Sequence, residues 1–442
     1  MKNGVIWNLF HFFWLKIAEH KQNSTDQSMK KFNFKSFIEK HYVLKESLLA
    51  TVFTIIITLL VSFIPIKYEF SKAIRIDFLG FDIYDLYFSG RELPYLQRDS
   101  DIVIIEIAGD RESIARQINI IHSYSPAIIA IDSDFPERED TAGNTDLTRA
   151  ISQSDRIVVG YRIKPDPHAK KETFTRNFFE TGRTRFQSGY MNLFEDSFSS
   201  VRNYRPFYDT DSSTYLAFTS AILQKRSPEK YDELKNRKNK TEIINYTGSL
   251  GSYTSLSKEQ LLYGDSTGQL RSLLEDKIVL LGYFVKESPQ TSLVLEDLWF
   301  SPVNKRISGK SFPDMYGVVI QANILSMVLH ERYMTQASHF ISYLFASLLI
   351  FLFLYYMLSQ YKKKQHPKHG KFLLIQFLLV LVVLFIFLMI FNWFWIKVPL
   401  LPIMIALVLC VELLGVYKNI ALRMHEHKKL RYKTVFAHKH II

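Results

Sequence analysis

Carboxylates cluster where two short apolar runs end. Glu106 and Asp110 close or follow Ile102 to Ile107 (IVIIEI), and Asp132 and Asp134 follow Ala127 to Ile131 (AIIAI), with Glu137 just beyond. Each run is continuously apolar and rich in β-branched residues, the pattern of a strand buried on both faces. In open α/β sheets, ligands bind outside the carboxyl ends of the strands. Glu106, Asp110, Asp132 and Asp134, joined by Glu137, are therefore candidate groups for a cation or a polar ligand. A catalytic acid/base pair needs the same residue types. Aspartate also serves turns and helix caps. For this cluster that duty ranks first, ligand contact second and catalysis last.

Other chemistry is scarce. No G-x-G-x-x-G follows the first strand and there is no Walker A lysine motif, so a phosphate-binding loop is not expected. The single cysteine, Cys410, lies in an apolar run and reads as a packing residue, with lipidation a weaker reading. His425 with His427, and His438 with His440, lack the i, i+4 spacing of a helical metal site, so neither a metal nor another cofactor is expected. Glu412 sits inside an apolar run, where an ionisable residue is a functional candidate by default. It also lies near the end of that run, where Lys418 could approach it, and a snorkelling or packing role ranks ahead of proton or ion movement.

The elements that must position the carboxylates read as alternating strands and helices. A helix is expected over Asp110 to Tyr124, with Ile114, Ile118, Ile121 and Tyr124 on one face. A short helix over Asp146 to Gln153 and a strand over Arg156 to Tyr161 complete a βαβαβ order, which implies a parallel sheet with right-handed crossovers. Further strands are expected near Phe186 to Asn192, Ser200 to Pro206, Thr241 to Tyr246 and Lys277 to Gly282. Helices are expected over Tyr215 to Leu223 and Lys258 to Leu262, and Lys225 to Lys240 reads as a solvated loop or helix end. Last comes DMYGVVIQANILSMVL, residues 314–329, expected to be helical from about Val318. Val318, Ala322, Leu325 and Leu329 share a face that suits packing on the sheet, with Gln321, Asn323 and Ser326 as polar interruptions. Its short distance from the next apolar run makes it a mechanical connector, and Gly317, Gln321 and Asn323 are its candidate coupling residues.

Four apolar runs are long enough to cross a bilayer, which takes about 20 residues. They are Leu48 to Ile66, about Ala337 to Leu358, Phe372 to Phe394 and Val398 to Tyr417. Only Trp395, Ile396 and Lys397 separate the last two, so these spans must form a tight hairpin, with Trp393, Trp395 and Lys397 suited to the headgroup level. Residues 1–46, 361–371 and 418–442 together carry 20 Lys or Arg against five acids, a positive excess larger than the whole chain's net +12. Four spans place these three segments on one side, which the positive-inside rule makes cytoplasmic. The basic pI then reflects topology, and nucleic acid is not an expected partner; membrane lipid is. The aromatic stretch Gly4 to Ala18 suits either an interfacial helix or a packing helix in a complex. The expected division is a basic segment 1–46, a span 47–66, an outer α/β domain 67–336, three spans over 337–417 and a basic tail 418–442.

Several elements together resemble proteins with a CHASE2 sensory domain. They are the first span, Arg98-Asp99-Ser100-Asp101 entering the first strand, Ile128-Ile129-Ala130-Ile131-Asp132 with Phe135, Lys277 to Gly282, and Met315 to Asn323 before the membrane. The resemblance covers most of residues 45–420 and implies an extracytoplasmic α/β sensor domain followed by three spans, in a bacterial inner membrane. This chain has Tyr316 where the family commonly has Pro and Gln321 where it commonly has His, so a role that needs the imidazole is absent. The loop after Gly282 matches only loosely, through Asp297 and Ser301-Pro302. Such receptors usually continue into an enzymatic output domain, whereas about 25 residues follow the last span here. Output is therefore expected through a separate cytoplasmic or envelope protein, through basic segments at anionic lipid, or through self-association as a homodimer. A structural subunit of an envelope complex is the alternative, and an extracytoplasmic enzyme using the acidic cluster ranks last.

Overall fold

The computed structural model describes residues 42–63, 83–90, 99–137, 139, 141–166, 171–174, 177–180, 185–195, 200–210, 213–264, 268–285, 297–304, 312–363, 368–426 and 434–437. The stretch Gly4 to Ala18 and the tail residues His427, His438 and His440 lie outside them. The chain divides into two compact units.

The first unit comprises Pro65–Ser342 and Leu381–Pro399 and is organised by a parallel sheet. Its strands are β1 (Asp99–Glu106), β2 (Ile128–Ile131), β3 (Ile157–Tyr161), β4 (Gln187–Tyr190), β5 (Tyr253–Leu256) and β6 (Ile278–Gly282). They lie in the order β5-β1-β6-β2-β3-β4, every neighbour parallel. Side chains alternate between two cores, as the pleat requires. Ile102, Ile104, Ile128, Ala130, Val158, Ile278 and Leu280 enter one core, and Val103, Ile105, Ile129, Ile131, Ile157, Val159, Val279 and Leu281 enter the other. Neither face meets water, which is why the strands read as continuous apolar runs.

Counting helices in chain order, α1 (Tyr42–Phe63) is the first span and α2 (Ile83–Gly90) opens the domain. Helices α3 (Arg111–Ser123) and α4 (Thr141–Ser152) cover one sheet face, together with α7 (Lys258–Tyr263) and α8 (Leu270–Leu274). Ile114, Ile118 and Ile121 form the buried stripe of α3, as their spacing predicts. Ser257 and Gln260 close a reciprocal capping box that starts α7.

Helices α5 (Phe218–Arg226), α6 (Pro228–Asn236) and α9 (Gly317–Leu329) build the other side. The charged stretch Lys225 to Lys240 is thus largely helical, started by Pro228 and anchored by buried Leu234. The expected strand Thr241 to Tyr246 shrinks to Glu242–Ile243, paired antiparallel with Asn203–Tyr204. Its neighbours turn inward instead: the Asn245 side chain donates to Arg332 O at 2.9 Å, and Tyr246 OH donates to Val201 O at 2.6 Å.

Helix α9 departs most from its sequence reading. It is buried on every side from Gly317 to Val328, not along one face. Its polar residues are satisfied internally. Asn323 (0% exposed) accepts from the backbone N–H groups of Thr247 and Gly248 at 2.9 and 3.0 Å, and donates to Gly248 O and Val319 O at 2.9 Å each. Ser326 Oγ donates to Asp99 Oδ2 at 2.6 Å. Beyond α9, Thr335–Gln336 pairs in parallel with Ile396–Lys397, the link between the last two spans. Thr335 N donates to Trp395 O at 3.0 Å and Ala337 N to Lys397 O at 2.8 Å. Trp395 adopts the left-handed conformation (φ 56°) at the end of its helix, a place where glycine is usual. Its indole and Phe391 pack edge-on against Tyr87 of α2. A buried ion pair fixes α2 itself, with Arg202 Nε and Nη2 donating to the two Asp85 oxygens at 2.8 and 2.6 Å.

The second unit comprises Met1–Ile64, Tyr343–Val380 and Leu400–Ile442. It holds α1 and α12 (Leu401–Glu426), which pack together, and large parts of α10 (His339–Lys363) and α11 (His369–Phe394). Among the described residues, four helices are long and apolar enough to cross a membrane. Ser47, Thr51, Thr54 and Thr58 line one buried side of α1 and return their hydroxyls to carbonyls four residues back. Gln376 of α11 donates to Leu407 O and Val408 O of α12 at 2.6 Å each. Glu412 lies 3.5 Å from His369 Nε2, whereas Lys418, which its place in the sequence would let approach Glu412, sits over the rings of Tyr361 and Phe436. Glu46 accepts from Thr434 Oγ1 and from Val435 N, which fastens that part of the tail to the start of α1.

Asn323→Leu leaves the N–H groups of Thr247 and Gly248 and the Gly248 carbonyl without that partner, while Val319 O keeps its bond within the helix. It is expected to destabilise the protein by about 3 kcal/mol, read from the denaturant midpoint of the purified chain by tryptophan fluorescence. A change below about 0.5 kcal/mol would mean that these bonds are replaced by water.

Candidate functional site

A cavity of about 100 Å³ opens outside the carboxyl ends of β2, β3 and β4. Each strand contributes the residues that follow it: Asp132 after β2, Arg162 after β3, and Met191, Asn192 and Leu193 after β4. Asp297 and Trp299 enter from the two-stranded pairing of Leu298–Trp299 with Met315–Tyr316. Gly317 and Gln321, from the first turns of α9, complete the wall.

Local structure explains why these groups converge. The Asn192 side chain brackets the backbone of Ile163, accepting from its N–H at 2.7 Å and donating to its carbonyl at 2.9 Å. Asp314 fixes the strand pair that carries Asp297, accepting from Ser301 N at 2.8 Å and Ser301 Oγ at 2.5 Å. Burial pushes the Asp314 carboxyl up to about 6 against the pull of those bonds. Asp297 Oδ1 accepts the Trp299 indole N–H at 3.2 Å, and Asp297 O accepts Gly317 N at 3.1 Å. A Cβ on Gly317 would stand 2.7 Å from Asp297 Oδ2, so only glycine lets the helix start this close to the carboxylate.

Two wall groups are left with hydrogen-bonding capacity. Gln321 is 4% exposed; its Nε2 donates to Met191 O at 3.2 Å, and its carbonyl oxygen has no partner among the described residues. The Asp132 carboxylate likewise accepts no hydrogen bond from them. Burial pushes its carboxyl well above the usual range, the charge of Asp297 adds to the rise, and Arg162 opposes it. Arg162 also lies beside Asp134, Nε to Oδ1 3.4 Å.

The sequence candidates thus separate. Asp132, Gly317 and Gln321 line one cavity, and Asp134 stands behind it through Arg162. Glu106 pairs with Lys258 Nζ at 2.9 Å. Asp110 caps α3, its Oδ1 accepting Ser113 N at 2.8 Å, and that bond holds its carboxyl below the usual range. Glu137 is exposed. Asn323 faces the loop at Thr247 and Gly248 rather than the cavity. Asp297 is marked only by the loose family resemblance of its loop, and Arg162, Trp299 and the residues after β4 carry no sequence pattern that marks them. Asp99, Asp101 and His330 form another cluster that spacing conceals, their ligand-type atoms within 4.8 Å of one another. Asp99 Oδ2 there accepts Ser326 Oγ and lies 3.1 Å from His330 Nε2, fastening the start of β1 to the end of α9.

A doubly covered parallel sheet between apolar helices, with a polar cavity at its strand ends, defines a multi-pass membrane protein with an α/β domain between its spans. Residues 53–359 match the CHASE2 domain, so the chain belongs to that family and carries a CHASE2 sensor domain. No curated protein and no solved structure gives a match.

The raised Asp132 carboxyl means that the folded state holds this proton more tightly than the unfolded chain. Its contribution favours folding at low pH and is lost as pH rises through the folded pKa. Asp132→Asn, neutral throughout, is therefore expected to raise the Tm of the intact protein near neutral pH and to narrow the difference from wild type in acid. A lower Tm for the variant at neutral pH would show that the ionised carboxylate is well compensated.

Proposed function

We propose that this protein is a membrane-anchored extracytoplasmic sensor. It receives its stimulus in the Asp132 cavity and relays it through α9 to the membrane helices and on to a separate protein. The three basic segments supply the orientation, with both termini cytoplasmic in a bacterial inner membrane. The observation that carries the relay is the continuity of α9. Gly317 and Gln321 at its start form the cavity wall, and Thr335–Gln336 just past its end hydrogen-bonds to the hairpin between the last two spans.

The physical link is short. Occupation of the cavity acts on Asp297 and Gln321. Asp297 abuts Gly317, so a shift of the carboxylate presses on the first turn of the helix. A helix packed on all sides transmits a displacement along its axis, since close-packed interiors deform little. At the far end, the two backbone bonds to Trp395 and Lys397 carry it into the span hairpin. A ligand can shift the equilibrium only by its differential affinity for the two positions of this rod.

Thr335→Pro removes the N–H that reaches Trp395 O and leaves the cavity intact. Affinity purification from membranes in mild detergent, read by mass spectrometry, would compare it with wild type and with a chain truncated after Glu426. The expected result is a cytoplasmic protein that co-purifies with wild type, is lost on truncation and changes several-fold in amount with Thr335→Pro. An identical partner set for all three, bound through the outer domain, would replace the sensor with an envelope scaffold.

A further inference from the structure

The Asp132 cavity has a composition that narrows its occupant. Four acceptor-bearing side chains line it; Asn192 is committed to the Ile163 backbone, which leaves Asp132, Asp297 and Gln321, and Asp132 and Gln321 have capacity that no described residue uses. Met191, Leu193 and Trp299 supply apolar wall. Its volume is about 100 Å³.

We propose that this cavity binds a small organic ammonium ion, whose N–H groups donate to Asp132, Asp297 and the Gln321 carbonyl oxygen while a short hydrocarbon stub lies against Met191, Leu193 and Trp299. The assignment rests on the cavity being the sensory site. An ammonium group offers three donors and no acceptor, which matches three acceptors. A hard metal ion fits less well. Calcium takes about six to eight oxygen ligands and magnesium a near-ideal octahedron, whereas the remaining wall brings a guanidinium, an indole, apolar groups and an Asn192 amide already bonded to the Ile163 backbone. An anion would meet two carboxylates. A cation close to the Trp299 ring gains attraction from its π face as well.

The proton is the natural competitor. Asp132 faces Asp297 and Arg162, and Asp134 faces Arg162 from behind, so the carboxyl pair and the guanidinium set the balance. Binding requires Asp132 ionised, and affinity for an ammonium ion falls as pH drops through the carboxyl's raised range.

The test uses the full chain in lipid nanodiscs, with calorimetry and tryptophan fluorescence. The probes are ethylammonium chloride, glycine, sodium propionate and calcium chloride. The expected result is saturable binding of ethylammonium, weakened at least tenfold by Asp132→Asn, unchanged by Asp110→Asn at the α3 cap, and no response to propionate. Tighter binding of glycine with the same dependence on Asp132 also supports the ammonium assignment and identifies an amino acid as the source. Binding of calcium alone, or ethylammonium binding indifferent to Asp132→Asn, overturns it. If no probe binds yet Thr335→Pro still changes the partner set, the ligand class is wrong and the relay stands. If both fail, the sensor reading falls with it.

Discussion

Helix α9 has no face left for water, and the rest of the domain is arranged around that constraint. Apolar burial holds such a helix in place but does not fix its rotation or its position along its axis. The polar atoms do. Gln321 is bonded to Met191, Asn323 to the loop at Thr247 and Gly248, and Ser326 to Asp99. These partners come from three separate regions of the chain. A slip by one residue would break all three sets at once and leave buried groups unpaired, each costing about 1–3 kcal/mol. The helix is therefore located by its hydrogen bonds and stabilised by its apolar contacts.

The membrane unit solves a related problem in a different solvent. In hydrocarbon every polar group must find its partner within the protein. The hydroxyls of Ser47, Thr51, Thr54 and Thr58 turn back onto their own helix, while Gln376 reaches across to the backbone of α12. The first device leaves α1 self-sufficient along its buried side. The second ties two spans at one level. Polar side chains in both units thus specify position, and apolar ones supply the bulk of the attraction.

The elements legible in the sequence are those whose environment is uniform. Strands β1, β2, β3 and β6 stand out as apolar runs because both of their faces are buried, and the spans stand out because lipid surrounds them. The surroundings of α9 were not legible. Gln321, Asn323 and Ser326 read only as polar interruptions, since periodicity records polarity and not whether a buried partner meets it. The stretch Lys225 to Lys240 is only partly legible: its charges suggest a solvated loop or helix end, yet a proline start and one buried leucine suffice for a separate helix, α6. At the cavity, Asp132 could be found because it ends a strand. Spacing does not place Asp297, which only the loose family resemblance touches, or Trp299, because a topology that returns a distant hairpin to the ends of β2 and β3 leaves no trace in local spacing.

The place of β6 has a consequence for how the chain is made. It is the last strand of the sheet to be synthesised, yet it lies between β1 and β2, which are among the first. Until residues 278–282 arrive, those two early strands have no direct pairing with each other, and the sheet exists only as separate fragments with open edges. Contacts this distant in sequence are slow to form. The first span is thus already built while the domain behind it is incomplete, and the nascent domain must stay unaggregated until its central strand is delivered.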